Sequence, residues 1–446
     1  MDKKMNPPIS AASPSEPIKL LREKSLGRRN WAAVCRFLFI LLIAGNTLTL
    51  SGNITGDGPE VRLGYIIALI FFPWVWLVGK RSWRKPLARR IDRRAAYLIL
   101  LLLLSSASAI YHFQFSGLPR SFFLSLATIF LYGGTAVTAL RVFDAEEILS
   151  QYIVVAKWAS AAAILQLFAW AVMRWDTTAW MRALGFVSRF GGEQGWLIRV
   201  NAWWEEPAHL AAFLSLAVLM CILPMPKPIS LKIRLTPAWM IVIISAFALT
   251  FAASAVAIFP FLLLAYAPTL RRQWVLIPVT LFGVYWITGS PAIVERLQAL
   301  TNFNGAQVSD NLSVWALQSN YFSSIDSLKH APLGLGAGTH LNSYKDWIGQ
   351  WGIHNFDANA LFLNARDGGS MPIRLLSEMG WPSLIIWFYA IYRVVRISIS
   401  GALANSKVRY IEYIGIAGFL TLCARQGSYS MFDPWLMLLI PFAAIQ

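Results

Sequence analysis

Charge is what this chain has least of. Only 14% of its 446 residues are Asp, Glu, Lys or Arg, against roughly a quarter in a soluble domain. A shortfall of that size excludes an ordinary water-facing surface. Acid is scarcer than base, with 22 acidic residues against 39 basic ones. Cysteine is rarer still: Cys35, Cys221 and Cys423 lie far apart, in or beside apolar segments, with no CxxC. That spacing excludes a disulfide framework or a zinc set, and the three read as helix-packing residues. Residues 1–30 hold no hydrophobic stretch with a cleavage site, so a basic cytoplasmic tail is expected there rather than a signal peptide. The chain also shows no inverted repeat of the kind that marks many secondary transporters.

Apolar runs are abundant. Residues 63–79, 95–110, 121–140, 238–253 and 430–445 are long and almost free of charge. Runs of this length can span a hydrocarbon core as helices, and they are too continuous for the alternation of a membrane barrel. The expected fold class is therefore all-α, a polytopic helical membrane protein of about twelve spans. The spans are expected at 31–50, 63–79, 95–111, 121–140, 148–172, 203–223, 238–252, 254–270, 273–289, 372–392, 410–424 and 430–446. Four regions follow: the tail 1–30, spans one to nine over 31–289, a large outer loop over 290–371, and the last three spans over 372–446.

The net charge of +17 would suit nucleic acid, but its distribution argues otherwise. The basic residues sit in short blocks at helix ends, among them 19–29, 80–94, Lys227/Lys232/Arg234, Arg271/Arg272 and Arg393/Arg396/Lys407/Arg409. Placing these blocks on one side satisfies the positive-inside rule and puts both termini in the cytoplasm. The expected location is a bacterial inner membrane, with membrane lipid as a partner and no nucleic acid. The outer loop is polar and rich in Gly and Asn, and its stretches 295–300 and 311–326 have helical spacing. Gly334-Leu-Gly-Ala-Gly338 lacks the strand-helix context of a dinucleotide site and reads as a tight turn.

Polar groups beside apolar spans are the functional candidates. Three sets gather on the outer side. The first runs from Arg199 through Glu205, Glu206 and Pro207 to His209. The second comprises His354, Asp357, Asn359, Arg366, Asp367, Ser370, Arg374 and Glu378. The third is Arg425, Gly427, Tyr429 and Asp433. Each has a plain structural alternative: Glu205 and Glu206 as a helix cap with an interfacial Trp pair, and Arg374 with Glu378 as an i,i+4 ion pair. Arginines and carboxylates around one vestibule suit a lipid-linked phosphate or pyrophosphate, because a guanidinium holds such a group bidentately at any pH.

The motifs also resemble a family. Arg199 with Glu206-Pro207, Pro332-Leu-Gly-Leu-Gly-Ala-Gly338, Asp357-Ala-Asn359, Ile373-Arg-Leu-Leu-Ser-Glu-Met-Gly380 and Arg425-Gln-Gly427 with Tyr429 are similar, in order and spacing, to elements of the Wzy-like O-antigen polymerases. The resemblance implies a metal-independent glycosyltransferase without cofactor. It would polymerise undecaprenyl-pyrophosphate-linked repeat units of an O-antigen or exopolysaccharide at the periplasmic face. It implies Arg199, Arg374, Arg425 and Arg366 as pyrophosphate ligands, His354, Asp357 and Glu206 as catalytic groups, and His209, Asn359, Glu378 and Tyr429 in support. No metal site is implied, and a chain-length regulator stays open as a partner. Two departures stand out. No arginine lies at 310–315, where relatives carry one, and His354-Asn355 resembles instead the histidine element of the ligase branch. O-antigen ligase and lipid-linked-glycan flippase therefore remain alternatives.

Overall fold

A computed structural model of the chain describes residues 16–46, 48–50, 61–79, 100, 102–184, 186, 193–194, 197–223, 226, 235–252, 257–266, 312–350, 361–362, 364–366, 368–403, 405–425, 427, 429 and 431–443. Helices dominate. In chain order they are α1 Glu16–Gly45, α2 Leu63–Gly79, α3 Leu102–Phe113, α4 Arg120–Val142, α5 Ala145–Met173, α6 Thr177–Ala183, α7 Pro207–Ile222 and α8 Pro237–Leu249. There follow α9 Phe259–Tyr266, α10 Leu312–His330, α11 His340–Gln350, α12 Met371–Met379, α13 Trp381–Ile399, α14 Lys407–Arg425 and α15 Phe432–Ala443. Two antiparallel pairs of two-residue strands, Thr49–Leu50 with Val61–Arg62 and Glu193–Gln194 with Leu197–Ile198, lie before α2 and before Arg199.

Local chemistry sets several boundaries. Pro207 and Pro237 open α7 and α8, where a missing N–H costs nothing, and the Thr236 hydroxyl accepts from Trp239 N at 3.4 Å. Glu146 and Glu147 occupy the first turn of α5, at the positive end of its dipole.

Among the described residues, α4, α5 and α13 are long and apolar enough to cross a membrane, and six shorter apolar helices accompany them. Large side chains such as Leu69, Leu103, Phe130, Leu165, Phe168, Ile385 and Phe388 are exposed around the bundle. An apolar exterior on this scale marks a membrane-embedded protein.

The count of twelve is not shown, and the ninth span at 273–289 lies outside the described residues. The structure differs from the expected spans in two respects. Helix α1 begins at Glu16, inside the expected tail, because residues 19–29 are rich in helix-forming Leu, Lys and Arg that hydropathy ignores. The tenth span is two helices, α12 and α13, broken at Gly380. There φ is +62°, and a Cβ would lie 2.0 Å from the Pro332 carbonyl oxygen, which accepts from Trp381 N at 2.9 Å.

One continuous apolar core joins α1, α2, α4, α5, α7, α8, α14 and α15, with Tyr132, Tyr152, Trp204, Phe213, Tyr410 and Phe432 fully buried. The outer loop has a smaller core of its own, Trp315, Tyr344, Trp347, Ile348, Leu361 and Ala365. Helix α10 bears out the helical spacing at 311–326, while the stretch 295–300 is outside the described residues. The glycine run is a tight turn, with φ of +82°, +101° and +78° at Gly334, Gly336 and Gly338. It wedges the loop against three helices: Gly336 N donates to Glu378 O of α12 at 2.9 Å, Ser108 Oγ of α3 donates to Gly334 O, and a Cβ on Gly338 would sit 2.3 Å from Ser121 O of α4.

Charge gathers at both ends of the bundle. At one, Arg36 pairs with Glu147, Lys407 with Glu146, and Arg393 and Arg409 with Glu412. At the other lie the start of α7, the end of α14, α12 and the loop packed on it.

Candidate functional site

The described residues of the three polar sets share that second end, where Arg425, Gly427 and Tyr429 link them. From the first set, Glu206 reaches Arg425, with Oε2 2.8 Å from Nη2. Glu206 immediately precedes α7 but makes no capping hydrogen bond, so the cap alternative gives way to an ion pair with α14. The turn that presents it is pinned by Gln166. Its Oε1 accepts from Asn201 N and Ala202 N at 2.9 and 3.0 Å, and its Nε2 donates to Asn201 Oδ1 at 2.8 Å. Ala202 is held at φ +49°. Trp204 stacks between Trp203 and Phe213 and is buried, so it belongs to the core rather than to an interface. Arg199 donates from Nε to Thr250 O at 3.2 Å and stays half-buried, as does His209.

From the second set, Arg374 and Glu378 form the expected i,i+4 pair at 2.8 Å, but deep inside the protein. Nη1 of Arg374 also donates to Gly427 O at 3.0 Å and Nη2 to Ser125 Oγ at 3.3 Å, while its guanidinium carbon lies 4.2 Å from the centre of the Tyr429 ring. Glu378 is fully buried and accepts from Tyr429 Oη at 2.5 Å. All three nitrogens of Arg374 are engaged by the protein. To hold a pyrophosphate directly it would have to surrender those bonds, so the geometry gives it an internal, positioning role. Arg366 is exposed, and His354, Asp357, Asn359 and Asp367 lie outside the described residues. Asp433 of the third set is buried, and neither carboxylate oxygen has a hydrogen-bond partner among the described residues.

Arg425 differs from Arg374 in the respect that matters for chemistry. One nitrogen is anchored on Glu206, its side chain is 22% exposed, and no other hydrogen bond engages it among the described residues. An arginine held by one edge leaves its other N–H groups for a second anion.

Sequence reasoning missed His340, a fully buried imidazole at this end. Nε2 faces Asn320 Oδ1 at 2.9 Å and Nδ1 faces Ser377 Oγ at 2.7 Å. Because Asn320 Nδ2 donates to Ala316 O, its Oδ1 must accept, which assigns the Nε2–H tautomer and makes Nδ1 the acceptor. Burial and the neighbouring Arg374 cation push the imidazole down to about 3. A signal existed. Ser319, Ser323 and Ser327, spaced by four, give α10 a buried hydroxyl face toward α11, and Ser324 reaches Ile373 O of α12, yet one-dimensional reading registers only a polar helix.

The depressed imidazole makes stability fall in acid. Below pH ~6.5 the unfolded chain binds a proton that folded His340 refuses until about pH 3, a cost of at most about 1.4 kcal/mol per pH unit in between. Thermal melts from pH 7.5 to 4.5 should therefore show a shallower acid slope for His340→Gln than for wild type. Parallel slopes would refute the assignment.

Between the two ends lies an apolar cavity of about 300 Å³, bounded by α2, α3, α4 and α12 to α15. Tyr429 and Met371 line it toward the polar cluster, Arg141 lines it toward the other end, and exposed Phe130 shows that it reaches the bundle surface.

Comparison with models of known protein families finds none that matches, and no curated protein matches the sequence. The likeness to O-antigen polymerases therefore rests on motif order and spacing alone.

Proposed function

We propose that this protein is a glycosyltransferase that polymerises oligosaccharide repeat units carried on undecaprenyl pyrophosphate, at the periplasmic face of a bacterial inner membrane. The observation that carries the reading is Arg425: a partly exposed cation, anchored on Glu206, at the end of the bundle toward which Tyr429 and Met371 carry the lining of the apolar cavity. A pyrophosphate at the membrane surface with an apolar tail below needs that order of environments. The positive-inside distribution supports a periplasmic Arg425 end, cytoplasmic termini and a twelve-span topology in this reading.

In this reading an acceptor sugar hydroxyl attacks the anomeric carbon of the donor glycan. The new glycosidic bond forms as the bond to the lipid pyrophosphate breaks. Arg425, Arg199 and Arg366 stabilise the charge on the departing oxygen. The hydroxyl proton passes to a base, for which His354, Asp357 and Glu206 are the candidates. Arg374, Glu378 and Tyr429 hold the Arg425–Tyr429 segment in place.

The direct test uses purified protein in detergent with lipid-linked repeat units and no ion gradient. Stepwise extension is the expected result. Transfer of a finished chain to a different acceptor would show a ligase, and no transfer at all would leave a transporter and overturn the proposal.

A further inference from the structure

The basic end of the bundle carries a second cavity, of about 340 Å³, between α13, α14 and the end of α15. Its polar side is unusual. The carboxylate of Glu412 is buried and receives two guanidinium groups: Arg393 Nη2 on Oε1 and, at 2.9 Å, Arg409 Nη1 on Oε2. One cation would neutralise it, so the cluster keeps a charge of about +1 in a partly enclosed setting. Each arginine makes a single side-chain hydrogen bond, to Glu412, and neither has another among the described residues. Several N–H donors therefore remain beside the cavity, with the Ser406 hydroxyl in the same lining.

The remaining wall is apolar. Ile386, Phe419 and Leu438 also line the first cavity, so an apolar surface runs on from the arginines along α13, α14 and α15. A free phosphate would satisfy the cations but leave this wall unused. A neutral lipid would do the reverse.

We propose that this cavity is a binding site for an anionic phospholipid, whose phosphate lies on Arg393 and Arg409 and whose acyl chain follows Ile386, Phe419 and Leu438. The inference does not rest on the reaction proposed for the opposite end, and the lipid's acyl chain shares only Ile386, Phe419 and Leu438 with the first cavity. A bound lipid here ties α13 to α14, the two helices on which Met371–Met379 and Arg425 depend for their placement.

The experiment titrates the purified full-length protein with phosphatidylglycerol, phosphatidylcholine or inorganic phosphate, read by native mass spectrometry and thermal melting. Phosphatidylglycerol is expected to remain bound and raise the melting temperature, whereas phosphatidylcholine and inorganic phosphate do neither. Arg409→Gln leaves the Arg393–Glu412 pair intact and should weaken phosphatidylglycerol binding about fivefold. Arg396→Gln removes an exposed charge at the same end that does not line the cavity, and should bind as wild type does. The proposal is overturned by equal retention of the two lipids, by inorganic phosphate matching phosphatidylglycerol, or by an Arg409→Gln affinity no weaker than that of Arg396→Gln.

Discussion

Replacing Arg425 with alanine should slow extension of a lipid-linked glycan by about a hundredfold or more, while the protein still inserts and folds. The size follows from where the charge develops. When the glycosyl–pyrophosphate bond breaks, negative charge builds on the departing oxygen, and a preorganised donor at that place acts on the transition state rather than on the bound substrate. Folding should survive because the Arg425–Glu206 pair is partly solvated, and such pairs contribute little to stability. Arg425→Lys keeps the charge but loses the planar fork, and should fall between wild type and alanine. The measurement is single-turnover extension with matched protein levels. A near-normal rate for Arg425→Ala would remove the central support for the proposed function, and an equal loss of folded protein would reassign the residue to structure.

Breaking the Arg374–Glu378 pair should act on the fold instead. Either Arg374→Ala or Glu378→Ala strands a charge in a site with almost no exposure, at a cost of about 3–5 kcal/mol. That is enough to deplete the folded protein or lower its melting temperature sharply. The double variant Arg374→Gln/Glu378→Gln removes both charges and retains amide hydrogen bonding to Tyr429 and Gly427. It should be clearly more stable than the sum of the Arg374→Gln and Glu378→Gln single changes predicts. Its activity separates two roles. Substantial extension by the double variant places Arg374 in support of the Arg425 segment, whereas loss comparable to Arg425→Ala would return it to the pyrophosphate. Additive single effects would show that the pair is not coupled.

The parts of the site that were legible in the sequence were those with local signatures. Arg374 and Glu378 share a helix face by spacing alone, and Pro207 marks a helix start by its own geometry. The glycine run at 334–338 declares a turn because only glycine adopts those φ values freely. What it wedges against, Ala109 of α3 and Ser121 at the start of α4, lies more than two hundred residues away, and no local pattern encodes it. The same distance hid the Arg425–Glu206 pair and made the cap reading of Glu206 look sufficient. His340 was missed because its partners come from α10 and α12, so its enclosure exists only once those helices pack.

Composition and the apolar runs by themselves determined that this is a membrane-embedded helical protein, since burying or lipid-facing so many uncharged residues leaves no other solution. They also determined which residue types stand near helix ends. Only the tertiary structure decided which of those residues are available for chemistry. Arg374 and Arg425 look alike in one dimension, both basic and both in the terminal turn of a helix. Packing closes protein around every nitrogen of the first and leaves the second held by one edge. Burial is a property of the surrounding helices, and it separates a structural cation from one that can meet a substrate.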